Sequence, residues 1–307
     1  MRIQTAGRHR RLLLPVLVYI EANLTRDLSL DELAGVAGFS PFHFHRLFTQ
    51  VVGEPVKEYI RRLRLERAVR RLKTGQESVI AIALESGFKT HESFTRSFVR
   101  RFGMAPSEFR AWLASLRACV GDLEASYALA GLSEEDPAWL ARNPGPVETI
   151  ELRRLDPLDL AFVRYTGAYE ALPEIGVLWA PLFAWARAHG LCEDDLRLVG
   201  ICHDDPFVTL AERIRFDACI VVPEPGAPEG RVGFQCLRPG LCAVRRHSGA
   251  FDQIAKTYAY LGVEWQPPDG YRLGAAASFE IYACRAASGV QHRLYTEACV
   301  PLEPLQN

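Results

Sequence analysis

Residues 38–72 read GFSPFHFHRLFTQVVGEPVKEYIRRLRLERAVRRL. Gly38 can take the left-handed backbone that ends a helix. Ser40 followed by Pro41 supplies an N-cap and a first helical residue for the next one. Phe44 and Phe48 are four apart and share an inward face. Beyond Gly53 a longer helix is predicted over about 55–74. Its apolar residues change sides: Val56, Tyr59, Ile60 and Leu63 form one face, and Leu65, Ala68, Val69 and Leu72 form a face about 180° away. Such a helix is a rod packed by one body on each side. Arg61, Arg62, Arg64, Arg67, Arg70, Arg71 and Lys73 fill its other positions, and Arg70 and Lys73 are read as contacts to a polyanion.

The flanking sequence occurs twice. LAGVAGF at 33–39 is echoed by IALESGF at 82–88, and Phe44-x-Arg46-x-Phe48 by Phe94-x-Arg96-x-Phe98, at offsets of 49 and 50. Gly53 and Gly103 keep the second offset. Each unit reads as helix–turn–helix. In the first, Ser29-x-x-Glu32 is a capping-box pattern opening a helix over 30–36. In the second, Ser78 caps 79–85, Gly87 ends it, Thr90 opens the next helix, and Gly75 closes the joining rod. Phe39, Phe44, Phe48, Phe88, Phe94, Phe98 and Phe102 are assigned to the core.

Charge divides the chain in the same place. Residues 1–118 hold 20 Lys+Arg against 11 Asp+Glu, whereas 119–307 hold 16 against 26, so a net charge of -1 hides a basic third and an acidic remainder. A basic helical body suits a polyanion. Two rigidly linked helices could enter successive major grooves about 34 Å apart. Residues outside the phenylalanine stripes could meet base edges, with Arg on guanine and Glu on cytosine.

GFSPFHFHRLFTQVVGEPVKEYIRRLRLERAVRRL and IALESGFKTHESFTRSFVRRFGMAPSEFR together resemble the double helix–turn–helix domain of AraC/XylS-type transcription regulators, over about residues 10–115. The shared signature is GF…F-x-R-x-F…G-x-x-P-x-x-[FY], present in both units. The resemblance implies base reading by the first residues of both recognition helices. Carried over, these are Phe42, His45 and Arg46, then His91, Glu92, Thr95 and Arg96.

Asp136-Pro137 and Asn143-Pro144-Gly145-Pro146 mark a junction. Beyond it AFVRYTGAYEAL at 161–172 is echoed by AVRRHSGAFDQI at 243–254, pairing Gly167 with Gly249 at an offset of 82. Each copy reads as strand, glycine turn and helix, the helices over about 170–189 and 250–261. Further strands are predicted at 198–201, 217–222, 279–284 and 292–301. The expected fold is therefore multi-domain: an all-α double helix–turn–helix body, then an α+β domain of duplicated strand–helix–strand–strand units with a mainly antiparallel sheet. The expected division is 1–118, a linker at 119–147, and 148–307, with separate cores.

The second part is similar to the GyrI-like small-molecule-binding domain through VRYTGAYEAL, GICHDDP, RFDACIVVP, AVRRHSGAFDQI and SFEIYA (278–283). The resemblance, Rob-type in combination with the first part, implies a cleft between the halves holding the Glu of F-E-x-Y, here Glu280. Tyr282 shares its strand face. A carboxylate among aromatic rings needs a cation or donors, and ring faces themselves attract cations. Glu280, Tyr282, Tyr165, Tyr169, Trp179 and Phe207 are thus the candidate site for a cationic or amphiphilic molecule. The alternative for Glu280 is an internal ion pair with Arg164 or Arg246.

Composition narrows the function. Apolar residues make up 49% and charged residues 24%, which suits a globular protein. The longest apolar run, 12–20, is interrupted by Pro15 and is far short of a membrane span. The eight cysteines form no CxxC pair, so no metal spacing or disulfide framework is expected. No cofactor is expected either. The reading is a cytoplasmic transcription regulator, activator or repressor, whose partners are double-stranded DNA, a small-molecule effector and RNA polymerase, with no membrane. It is not expected to be an enzyme. The competing readings are a small-molecule hydrolase using Glu280 and Tyr282 as an acid–base pair, and a ligand-free protein-interaction module.

Overall fold

A computed structural model describes residues 2–74, 77–119, 150–173, 175–192, 196–206, 208–247, 254–282 and 295–305. The first part is helical: α1 (Arg2–Ala22), α2 (Leu30–Ala37), α3 (Pro41–Val52), α4 (Val56–Thr74), α5 (Val79–Glu85), α6 (His91–Phe102) and α7 (Pro106–Cys119). Local chemistry sets the boundaries. Ser29 accepts a hydrogen bond from the Glu32 amide, Ser78 from the Ala81 amide and Thr90 from the Ser93 amide. Gly38, Gly53 and Gly103 end α2, α3 and α6 at positive φ. Only the Ser29 half of the expected capping box is seen; the Glu32 carboxylate instead accepts from Tyr19 Oη at 2.6 Å. Gly75, Gly249 and the junction at 136–146 lie outside the described residues.

The rod behaves as its pattern predicts. Val56, Tyr59, Ile60 and Leu63 enter one core with Leu13, Val16, Ile20, Leu33, Phe44 and Phe48. Leu65, Ala68, Val69 and Leu72 enter the other with Ile82, Phe88, Phe94 and Phe98. The units touch at Gly87, where a Cβ would lie 2.3 Å from the Leu24 carbonyl oxygen, and Arg64 Nε donates to that same oxygen at 2.8 Å.

The second part is a curled antiparallel sheet with short helices. Its elements are β1 (Glu151–Leu155), β2 (Leu158–Thr166), α8 (Ile175–Leu178), α9 (Ala180–Ala188), β3 (Leu198–Cys202), β4 (Arg215–Val221), β5 (Gly233–Leu237), β6 (Gly240–His247), α10 (Ile254–Ala259), β7 (Tyr271–Leu273), β8 (Ser278–Tyr282) and β9 (Thr296–Pro304). The strand order is β1-β6-β9-β8-β3-β4-β2-β5, with β7 on β9. The duplicated halves meet where β3 pairs β8, with Gly200 opposite Glu280. Strands β1, β5 and β7 were not foreseen in the sequence, and the predicted helix over 170–189 is broken into α8 and α9.

Strand alternation gives the sheet two unlike faces. Ala161, Val163, Leu198, Phe216, Ala218 and Tyr282 pack under Trp179 and Leu182 on the front. Leu160, Phe162, Val199, Ile201, Cys219 and Phe279 form the back, and Leu14 and Val18 of α1 pack against it. The expectation of separate cores is therefore corrected. Helix α1 is shared: Leu13, Val16 and Ile20 face the helical core, while Leu14 and Val18, four apart, face the sheet. Periodicity within a single body could not show this, because α1 is apolar on two sides.

Candidate DNA face and effector pocket

The phenylalanine stripe orients both recognition helices. Phe44, Phe48, Phe94 and Phe98 are completely buried. Phe42, 79% exposed, and His45 and Arg46 consequently lie on the outer surface of α3. On α6, Glu92 and Arg96 are exposed, while His91 and Thr95 are half-buried, with His91 Nε2 3.4 Å from Thr95 Oγ1. Glu92 has a second engagement. Its own amide and the Thr90 hydroxyl hold its carboxyl below the ordinary value, so it serves the helix N-terminus as well.

Arg70 and Lys73 are not on this face, which corrects their reading as polyanion contacts. Arg70 Nη2 donates to the His203 carbonyl at 2.9 Å, and Lys73 pairs with Asp205. Arg71 reaches Glu303 at 3.3 Å, and Arg62 is enclosed by Glu54 and Glu66. The basic rod thus turns Arg70, Arg71 and Lys73 toward the acidic domain, while Arg62 is neutralised within the helical part.

The candidate effector residues gather on the front of the sheet around Glu280, which is 2% exposed. Tyr282 Oη donates to Glu280 Oε2, and Cys202 Sγ lies 3.6 Å from Oε1. Gly200 makes this possible: a Cβ there would lie 2.7 Å from Tyr282 Oη and 2.6 Å from the Phe216 ring. Trp179 stacks edge-on to Tyr282 at 5.4 Å and donates its indole N–H to the Cys219 carbonyl at 2.9 Å. Tyr169 donates to the Asp204 carbonyl at 2.8 Å, and its ring environment is shared with Cys202 and Glu280. Tyr165 is half-buried at the margin, bonded to the Ala171 carbonyl at 3.1 Å. Phe207 lies outside the described residues.

Neither arginine alternative for Glu280 is found. Arg164 is held by Asp217 at 2.7 Å and Glu21 at 2.7 Å on the back of the sheet. Arg246 stacks over Tyr295 at 3.9 Å. Burial raises the Glu280 pKa from 4.5 to about 7, while donors from Tyr282, Cys202 and Tyr258 pull in the other direction. Burial also pushes Tyr282 and Cys202 well up, with the Glu280 charge adding to it. Among the described residues the carboxylate meets hydroxyl and thiol donors only. Two residues of the Glu280 cluster, Cys202 and Tyr258, carry no signal of it in the sequence. Cys202 follows Gly200 by two on the same strand face, a signal readable only once the register with Glu280 is known. Tyr258, on α10, bonds the Phe279 carbonyl at 3.2 Å and carried no local signal.

Comparison with known proteins agrees with both halves. Residues 148–303 match the GyrI-like small molecule binding domain, and residues 33–111 match a helix-turn-helix domain. The HTH-type transcriptional activator AarP of Providencia stuartii is 43% identical over 95 residues, 31% of this chain and 70% of that one. The right origin-binding protein of Escherichia coli K12 is 35% identical over 95 residues, 31% of this chain and 33% of its own length. A crystal structure of an AraC-type regulator from Chromobacterium violaceum shares 33% identity over 34% of this chain and 92% of that one, with a TM-score of 0.32. Among the described residues no helix is long and apolar enough to cross a membrane. With a matching helix-turn-helix region, and a small-molecule domain over half its length, the chain belongs to the AraC/Rob-type transcription regulators that carry a GyrI-like domain.

Proposed function

We propose that residues 1–118 read duplex DNA through Phe42, His45, Arg46, His91, Glu92, Thr95 and Arg96, and that 148–307, beyond a linker at 119–147, bind a hydrophobic cation at Glu280. The observation that carries the effector reading is a buried carboxylate with no cation beside it among the described residues. Leaving such a group ionised is costly unless an arriving positive charge compensates it. Tyr282, Tyr169 and Trp179 supply the aromatic surroundings a quaternary or aryl cation favours. The protein acts on transcription in the cytoplasm, where RNA polymerase is its further partner.

Binding, rather than turnover, fits the chemistry of the pocket. A thiol nucleophile would need a lowered pKa, and that of Cys202 is raised. Tyr282 spends its proton on Glu280. The test is calorimetric titration of the whole chain with benzyltrimethylammonium and with its neutral isostere neopentylbenzene. The cation is expected to bind at least tenfold tighter at pH 8 and to be recovered intact. Equal affinities would remove the cation reading, and consumption of the compound would restore the enzymatic one.

A further inference from the structure

The two faces of the sheet are joined by a short run of chain at the end of β3. Cys202 points to the front and touches Glu280. The next residue, His203, points to the back, where its Nε2 lies 2.6 Å from Asp217 Oδ2. Asp217 also holds Arg164, through Nε at 2.7 Å and Nη2 at 2.8 Å. Arg164 in turn donates to both carboxylate oxygens of Glu21, at 2.7 and 3.0 Å. Glu21 belongs to α1, the helix shared with the DNA-binding core.

A second branch starts one residue later and ends at the same place. The Asp204 carbonyl accepts from Tyr169 of the pocket at 2.8 Å. The Asp204 carboxylate holds Arg215 through Nε at 2.8 Å and Nη2 at 2.6 Å. Arg215 Nη1 donates to Glu21 at 2.5 Å and to Tyr59 Oη of the α4 rod at 3.2 Å. Tyr59 donates to Glu21 at 3.2 Å. Arg164, Asp217, Arg215, Asp204 and Glu21 are all largely or wholly removed from water. In a close-packed charged seam, these bonds respond to displacements of a few tenths of an ångström.

We propose that residues 202–204 and Glu21 form a relay: an occupant of the front pocket displaces the donors on Glu280, shifts the end of β3, and changes how the sheet's back face grips α1 and hence the DNA affinity of the helical domain. The relay rests on the pocket reading of the previous section. It assigns positioning roles to His203, Asp204, Arg215, Arg164 and Glu21, none of which touches DNA or effector. Both branches meet at Glu21, so one substitution releases both from α1, while the Arg215–Tyr59 bond to α4 stays. Glu21→Ala leaves Arg164 on Asp217 and Arg215 on Asp204, so it strands no buried charge.

The experiment measures the affinity of the full chain for a duplex selected from a random library, with and without saturating benzyltrimethylammonium, alongside calorimetric binding of the cation itself. In the wild type the cation is expected to change the DNA Kd by a factor within about 5–150, the ordinary span of allosteric coupling, and DNA to change the cation Kd by the same factor. In Glu21→Ala the cation is expected to bind as before and that factor to fall below about 2. Glu21→Gln, which keeps the shape, is the second variant and is expected to show a reduced factor. Arg213→Ala removes a different contact between the domains, the 3.0 Å pair with Glu54, and is expected to keep the wild-type factor. Cation binding with an unchanged factor in both Glu21 variants would overturn the relay alone, as would an equal loss in Arg213→Ala. No cation binding by the wild type would overturn the pocket reading and the relay with it.

Discussion

Asp217 and Glu280 are both buried carboxylates, on the two strands that flank β3. They sit on opposite faces, and their surroundings differ in one respect. Asp217 has Arg164, His203 and Gln235 around it. Burial alone would raise its pKa, but Arg164 and His203 drive it far below the ordinary carboxylate range. Among the described residues Glu280 has hydroxyl and thiol donors only, and burial carries it up to about 7. On the proposed reading the contrast separates structure from site: Asp217, paired with Arg164, helps hold α1 to the sheet, and Glu280, with no cation beside it among the described residues, is the group offered to a ligand.

The largest effect expected from this contrast is on stability at the back. Asp217→Asn should cost about 3 kcal/mol, because Arg164 and His203 then lose a buried counter-charge. A thermal melt should show Tm lowered by roughly 5–10 °C. The same isosteric change at the front, Glu280→Gln, should leave Tm unchanged or raised while weakening cation binding about tenfold to a hundredfold, or about 1.4–2.8 kcal/mol. A Tm loss at Glu280 comparable to that at Asp217 would erase the distinction.

Next in size is the pH dependence. A folded pKa above 4.5 means the native state holds a proton on Glu280 between 4.5 and about 7 that the unfolded chain has released. Stability from this group is therefore highest at low pH and falls as pH rises through that window. Cation affinity should run the opposite way, rising about tenfold per pH unit up to about 7 and levelling off above it. Titrations at pH 5, 6, 7 and 8 check the slope, and Glu280→Gln should flatten it. The depressed carboxylates of the seam, Glu21, Asp204 and Asp217, have the other sign: their contribution is complete above about pH 4–5 and is lost in acid.

On the DNA side, Arg46→Ala and Arg96→Ala are each expected to cost about 1–3 kcal/mol on a selected duplex and much less on random DNA. The smallest change is expected for Arg70→Ala, whose guanidinium faces the His203 carbonyl rather than DNA. Competition binding to selected and random duplexes should show it within about twofold of wild type on both, a difference below about 0.4 kcal/mol.

The helical half was legible because each signal was local: Ser29, Ser78 and Thr90 cap, Gly38 and Gly103 terminate, and the apolar residues of α4 change sides at Leu63–Leu65. In the sheet, the SFEIYA stretch marked Glu280 and Tyr282, and alternation put them on one face. What sequence could not show depends on distant partners. The register of β3 with β8 decides that Gly200 opens space for Tyr282 and that Cys202 faces Glu280. The same chemistry misled at Arg70 and Lys73. A lysine or arginine on a helix looks alike whether it meets phosphate or an acidic domain, and only the docking of that domain distinguishes them.

The most direct test of the central claim, that Glu280 is an effector counter-charge, is a thermal melt at pH 8 of wild type and Glu280→Gln, each with and without benzyltrimethylammonium. The account predicts a ligand-induced rise in the wild-type Tm, little or none in Glu280→Gln, and an unliganded Glu280→Gln at least as stable as wild type. A sharply destabilised Glu280→Gln, together with a wild type whose Tm the cation does not move, would contradict it.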